Sequence, residues 1–422
     1  AVRRTYDANG QAIDGTGVVV CDIDAGIDVM HPMFFRADGG FYDFHDENQN
    51  GVLDIDIDSV DLGQGPAIIR RMNGIVSEYT DEKPLFDTEM PALDLAYDYL
   101  YADENGDRRR NGGVEEGFDE SSPGYGERLF VADDVDASGA IERGEKIVAL
   151  KTSKIRAFRL GNKVYRRGEN LIEAPFKRSM QHGNGAAGVL VGGQAGLRRL
   201  VGMAPEAELV MATDEAGGRE FAMTSFCVDE GARVVLHEYA PWTTYHLDGS
   251  SSLEELIDTT AGDGVSHINP AGNLSGSKKM FARPLAAGSV TSIPIEVPEI
   301  SASYMLTTLL WREPVAMGKQ LAATHPRDLS FVLTSPIGSS IEIALDGSTF
   351  DGELDGFAVH ATREDSTRGT AKVDVYVYPA EFVFPLESGT WSLTVTDPPP
   401  PSAQPLHLVG SVFDEVSGWG LG

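Results

Sequence analysis

Cysteine, tryptophan and basic residues are all scarce in this 422-residue chain, with 2 Cys, 4 Trp and 34 Lys and Arg. Cys21 and Cys227 are too few for a disulfide framework and lack the spacing of a zinc site or a redox pair, so both are expected as small buried apolar residues. No apolar run reaches the ~18 residues of a membrane-crossing helix, which predicts no membrane span. No signal peptide precedes Ala1, and the missing initiator Met suggests a processed or partial product. The basic residues face 65 Asp and Glu, a net charge of −31. Such a chain repels phosphate backbones and anionic membranes, which excludes nucleic acid as a partner.

What is present argues for a folded protein. Hydrophobic residues make up 41% of the chain, and its length exceeds the roughly 250–300 residues that one core serves, so two domains are expected. From Gly17 to Asp24 the run GVVVCDID reads as a buried strand leading into a turn at Ala25-Gly26, with His31-Pro32 closing the turn region. Residues 38–145 are rich in Asp, Asn and Gly with little periodicity, which predicts a long loop-rich insertion. Strand and helix patterns alternate again from Ile147, through GAAGVLVGG, AELVMAT, ARVVLHEYA and VSHINPAGN, with a capping box expected at Ser252 to Glu255. Beyond about residue 290 the strands turn to period two, as in DLSFVLTS, KVDVYVYP and GTWSLTVTD, the pattern of a β-sandwich.

Three polar groups fall at the edges of successive elements. Asp24 ends a buried strand, where a parallel sheet presents carboxylates. His182 lies in Gln181-His182-Gly183-Asn184-Gly185-Ala186-Ala187-Gly188, whose small residues let a helix begin close to neighbouring backbone. Asn273 follows Pro270-Ala271-Gly272 after a strand, placed to donate to a developing oxyanion. A serine-class acyl transfer needs a carboxylate to orient an imidazole and an imidazole to take the nucleophile's proton.

Asp24-Ala25-Gly26-Ile27-Asp28, His182-Gly183 with Ala187-Gly188, Val201-Gly202-Met203-Ala204-Pro205 and Ala271-Gly272-Asn273 together resemble, in order, the Asp, His and oxyanion-Asn motifs of subtilisin-like serine peptidases (subtilases, family S8). The likeness covers roughly residues 15–290. It implies an α/β fold with a parallel-sheet catalytic domain over 1–290, the insertion 38–145 within it, and a jelly-roll-like all-β sandwich over 291–422. It also implies a secreted hydrolase of the extracellular space or cell envelope, acting on peptide or protein substrates, with Asp24, His182 and Asn273 as its site and no cofactor needed for catalysis. Two departures stand out. Asn184 and Gly185 replace the family's Thr and second His. No Gly-Thr-Ser-Met-Ala-type segment occurs, and Gly249 to Ser252 or Gly338 to Ser340 lack its context, so no nucleophile is assigned. The serine is expected in a C-terminal remainder beyond Gly422, leaving this chain alone inactive. The alternative is a subtilase-like scaffold that acts as a calcium-dependent binding protein. Asp22-Ile23-Asp24 also resembles the nucleophile motif of haloacid-dehalogenase-like phosphatases, which leaves the His182 and Asn273 motifs unexplained.

The acids of the insertion are spaced for a hard cation. Asp134, Asp136, Ser138, Glu142 and Glu145 occupy loop positions 1, 3, 5, 9 and 12 around Gly139 at position 6, with the Ala140 carbonyl at 7, and so match an EF-hand loop. Asp46, Asn48, Asn50, Gly51, Val52 and Asp54 repeat positions 1 to 9, but Ile57 stands where the closing acid belongs, so Asp56 or Asp58 is expected to close the loop. Asp103, Asn105 and Asp107 form a third run that reads as a solvated loop. Structural calcium is expected in the first two, ordering a segment with no apolar core of its own. His237-Glu238-Tyr239 departs from the family's small residues at the substrate-lining turn, so substrate preference does not carry over.

Overall fold

The fold is that of a computed structural model, which describes residues 6–72, 93–175, 180–214, 219–239, 245–272, 276–299, 303–312, 326–345, 347–380, 385–398, 405–413 and 418–419. The chain divides into two compact units, Ala1–Tyr239 with Leu256–Pro270, and Ala240–Glu255 with Ala271–Gly422. Among the described residues only three α-helices occur, α1 (Gln181–Val191), α2 (Glu220–Asp229) and α3 (Ser252–Gly262), against four sheets. The expected α/β class is therefore wrong: the chain is mostly β, and three of the four sheets are antiparallel throughout.

Among the described residues, parallel pairing between strands occurs in one mixed sheet of the first unit. Its order is Ser266–Ile268, Val234–His237, Val19–Ile23, Glu208–Thr213, Ile155–Leu160 and Lys163–Arg166, and the last strand returns antiparallel as a hairpin. The β-branched run at Val19–Ile23 suits this central place, since it is buried on both faces. Val20 joins a core with Ala187 and Val191 of α1. Cys21 and Ile23 join another with Met223, Phe226 and Cys227 of α2. The two cysteines form a disulfide between the strand and α2, which corrects their expected role as separate apolar residues. A separation of 206 residues hid the pair.

The insertion carries a sheet as well as its loops. Residues 38–145 contribute nearly all of a six-stranded antiparallel sheet ordered Phe41–Tyr42, Lys146–Ala149, Leu129–Asp133, Tyr99–Asp103, Pro66–Met72 and Ser59–Asp61. Alternate residues enter two different cores. Tyr99, Tyr101, Leu129, Val131 and Val148 face the core shared with α1, whereas Leu100, Ala102, Phe130, Ala132 and Ile147 build a second core drawn mostly from the insertion. Burial on both faces erases the period-two signal, and strands of two to seven residues left little else to read. The expectation that this segment lacks an apolar core is corrected by the same observation.

In the second unit two antiparallel sheets of six and five strands share one core, which includes Trp311, Phe331, Val375, Trp391 and Leu393. The buried indoles find partners: Trp311 Nε1 donates to the Arg327 carbonyl (3.0 Å) and Trp391 Nε1 to that of Glu387 (2.9 Å). The capping box at the start of α3 sits one residue earlier than expected. The Ser251 hydroxyl donates to Glu254 (2.7 Å) and accepts the Glu254 N–H (3.2 Å).

Candidate catalytic and metal sites

Asp24 follows directly on the central strand Val19–Ile23. Its N–H still donates to the Ala212 carbonyl (3.1 Å), so the backbone is held in the sheet while the side chain emerges at its edge. The carboxylate is buried and accepts the Ala25 N–H. His182 lies in the first turn of α1 with its Nδ1 2.8 Å from each Asp24 oxygen, and its ring remains exposed. Hydrogen bonding to Asp24, then the Asp24 charge, hold the imidazole above its ordinary pKa against the opposing effect of burial, with a further contribution from Glu238.

The meeting of helix and strand depends on the absence of side chains. A Cβ on Gly183 would lie 2.1 Å from the Gly26 carbonyl oxygen, and Gly26 itself sits at φ +114°. One residue on, Asn184 accepts the Asp28 N–H through Oδ1 (2.8 Å), fixing the turn after Asp24 to the helix. At the far end of α1, the buried Lys154 donates to the carbonyls of Val191 (2.8 Å) and Gly193, satisfying groups that a helix end leaves open.

Further carboxylates surround this pair. Asp22 precedes Asp24 by two residues and so points to the same face of the sheet. It is fully buried, and neither of its oxygens has a hydrogen-bond partner. Burial, then the charges of Asp24 and Glu238, push its pKa up to about 8, so the group is mostly neutral at pH 7. Glu238 follows the neighbouring strand Val234–His237 and donates its N–H to the Ile23 carbonyl (3.0 Å). Ligand atoms of Asp24, His182 and Glu238 all lie within 4.8 Å of one another. Tyr239 donates its hydroxyl to the Asp24 carbonyl (3.2 Å). Glu238 and Tyr239 were legible in the sequence only as part of a departure from a motif. Asn273 lies outside the described residues.

The acidic loops share one hydrogen-bond plan. In the loop from Asp134, Asp134 accepts the N–H groups of Ser138 (3.0 Å) and Gly139 (2.8 Å), and Asp136 accepts that of Ser138 (3.0 Å). Glu145 accepts the N–H groups of Val135 (2.7 Å) and Glu142 (3.0 Å), closing the ring. Carboxylate oxygens of Asp134, Asp136 and Glu145 come within 4.8 Å of one another. The Ala140 N–H donates to the Ser138 hydroxyl (3.3 Å). In the loop from Asp46, that residue accepts from Asn50 (3.1 Å) and Gly51 (2.8 Å), and Asn48 and Asn50 both donate side-chain N–H to Asp54. Here Asp58 accepts from Glu47 (2.9 Å) and Asp54 (2.7 Å), the same two loop positions that Glu145 serves. Asp58 thus stands in the closing place. Val52 pairs with Glu142 in an antiparallel bridge, and Leu53 N–H donates to the Ile141 carbonyl (2.8 Å), so the two loops lie back to back.

The third run follows the plan at its closing acid and differs at its first. Asp103 accepts from Gly106 (2.8 Å) and Arg108 (3.1 Å), and Glu127 from Glu104 (2.9 Å) and Asn111 (2.8 Å). Glu127 comes from 24 positions beyond Asp103, a distance no motif spans. In this loop Asp103 also takes the Nε–H of Arg70, so a guanidinium already supplies positive charge there.

No protein-family model matches the chain, and no curated protein does. Among solved structures it is similar to the Clostridium perfringens CspB protease, with a TM-score of 0.55 and 13% identity over 97% of this chain. The chain spans 66% of the length of that protease. At this identity the likeness is one of fold.

Proposed function

We propose that the chain is the Asp- and His-bearing portion of a serine peptidase, in which Asp24 orients His182 and His182 serves as general base and then general acid. The contact of His182 Nδ1 with both Asp24 oxygens carries this reading. An Nδ1–H directed at a buried carboxylate leaves Nε2 as the proton acceptor, and the negative charge stabilises the imidazolium that follows. The exposed ring can meet a hydroxyl brought by substrate or by other residues. Asn273 is assigned the oxyanion-donor role on its sequence context. The fold shared with a protease agrees with the same chemistry.

Calcium enters the proposal as a structural ion. Asp134, Asp136, Ser138, the Ala140 carbonyl, Glu142 and Glu145 would hold one ion, and Asp46, Asn48, Asn50, the Val52 carbonyl and Asp54, closed by Asp58, a second. The donor set is all oxygen, as calcium prefers. An extracellular or cell-envelope location suits the Cys21–Cys227 disulfide, which persists where the environment oxidises thiols.

The reading requires a serine outside these 422 residues, because none inside sits in a matching context. The deciding experiment joins the chain to the residues encoded after Gly422 and measures fluorophosphonate labelling. Labelling of the joined protein that disappears in His182→Ala is expected. A downstream sequence without a Gly-Thr-Ser segment would instead favour a calcium-dependent binding protein on the same scaffold.

A further inference from the structure

Three features at the edge of the mixed sheet are left over once Asp24 is paired with His182. Glu238 stands beside the pair although orienting an imidazole needs one carboxylate. Asp22 lies beneath with both oxygens unpartnered and no access to solvent. Ligand atoms of Asp24, His182 and Glu238 converge within 4.8 Å. Each of the three is borne on a fixed element: Asp24 and Glu238 end adjacent parallel strands, and His182 opens a helix anchored by Gly183 and Asn184.

We propose that Asp24, Glu238 and His182 form a binding site for a transition-metal dication of the zinc class, which reversibly blocks the Asp24–His182 pair. Two carboxylates and an imidazole meet the ligand number and type of an open zinc site, and the ring nitrogen selects this class over calcium or magnesium. A dication also answers the concentration of polar oxygen, since Asp22 faces the same side of the sheet and its two buried oxygens have no hydrogen-bond partner. Coordination through Nδ1 removes the hydrogen bond to Asp24, and coordination through Nε2 removes the proton acceptor. Either way proton transfer stops. Binding itself does not depend on whether the chain belongs to a peptidase, so the site and that assignment fail separately.

The test uses the full chain in saturating calcium, so that the acidic loops are filled. Zinc is titrated in competition with a chromophoric chelator, and cobalt(II) is followed by its visible absorption. One equivalent of zinc with micromolar affinity is expected, together with a cobalt spectrum of low coordination number containing a nitrogen ligand. Glu238→Gln and His182→Gln should each weaken binding by about tenfold or more, whereas Glu145→Gln should leave it unchanged. Zinc affinity identical in the unmodified chain and in both site variants overturns the proposal. So does a cobalt site on the unmodified chain with oxygen ligands alone, a measurement that needs no variant to fold.

Discussion

Asp22 in the mixed sheet is fully buried and neither of its oxygens has a partner, whereas the equally buried Asp58 and Glu127 of the antiparallel sheet each accept two backbone N–H groups. Both regions concentrate carboxylates at strand ends. In the antiparallel sheet those carboxylates organise loop backbone. At the edge of the mixed sheet the backbone is already satisfied by strand pairing, so the carboxylates face one another and an imidazole instead. The same residue type yields a scaffold in one place and a cluster of side chains in the other, and what separates them is where the neighbouring N–H groups point.

Calcium removal is the strongest way to break this contrast. If the loops from Asp46 and Asp134 each hold an ion, calcium at a thousandfold excess over its Kd stabilises by about 4 kcal/mol per loop. Chelation is then expected to lower the melting temperature by roughly 15 °C or more. Hydrogen exchange should show Tyr99–Asp103 and Leu129–Asp133 losing protection before Val19–Ile23 and Glu208–Thr213. Glu145→Gln and Asp58→Asn should each remove about half of the calcium-dependent gain. A melting temperature indifferent to chelator would return the acidic loops to plain solvated turns.

The converse perturbation acts on the mixed sheet. Replacing Cys21 and Cys227 together by Ala opens the link between the central strand and α2, and a loss of about 2–5 kcal/mol is expected from denaturant unfolding. Protection should now fall first at Val19–Ile23, while the calcium response stays intact. Equal losses in the two sheets would show that they unfold as one.

Acid provides a smaller and reversible probe. His31 and His237 are buried, and burial brings each down to about 4, with His267 adding to the effect on His237. Because the folded value lies below the unfolded one of about 6.5, their contribution is complete above pH 6.5 and is lost as pH falls toward 4. Each is expected to cost up to about 3 kcal/mol by pH 4. His31→Asn keeps an acceptor for the Met33 N–H and should flatten the slope of the urea midpoint between pH 6.5 and 4. An unchanged slope would place the acid sensitivity elsewhere.

How much of this was written in the sequence follows from the length scale of each signal. Asp24 and His182 were legible because a short strand-turn motif and a Gly-rich helix start are local. The loop from Asp134 was legible for the same reason. The antiparallel sheet was not, because its strands are short and buried on both faces, so Tyr99 to Asp103 shows no alternation. Asp58 was one of two possible closing acids, and Glu127 could not be found at all, since its place depends on a strand that returns from far along the chain. The α/β expectation failed in kind: alternating strand and helix patterns near the His motif were extended to a chain whose other sheets are antiparallel.

The finest test of the helix-to-strand contact compares two glycines two residues apart. A Cβ at Gly183 meets the Gly26 carbonyl, whereas nothing lies within 4 Å of one at Gly185. Both positions are helical, so Ala should favour the helix equally at each, by about 0.5–1 kcal/mol. Gly183→Ala must instead push α1 off the turn, which outweighs that gain and costs about 1–3 kcal/mol. The displacement also lengthens the path from His182 to Asp24, so the imidazole pKa, followed by NMR, should fall toward its ordinary value. Gly185→Ala should raise stability slightly and leave that pKa unchanged. A His182 titration identical in both variants would mean that the imidazole is held by something other than the approach of α1 to Gly26.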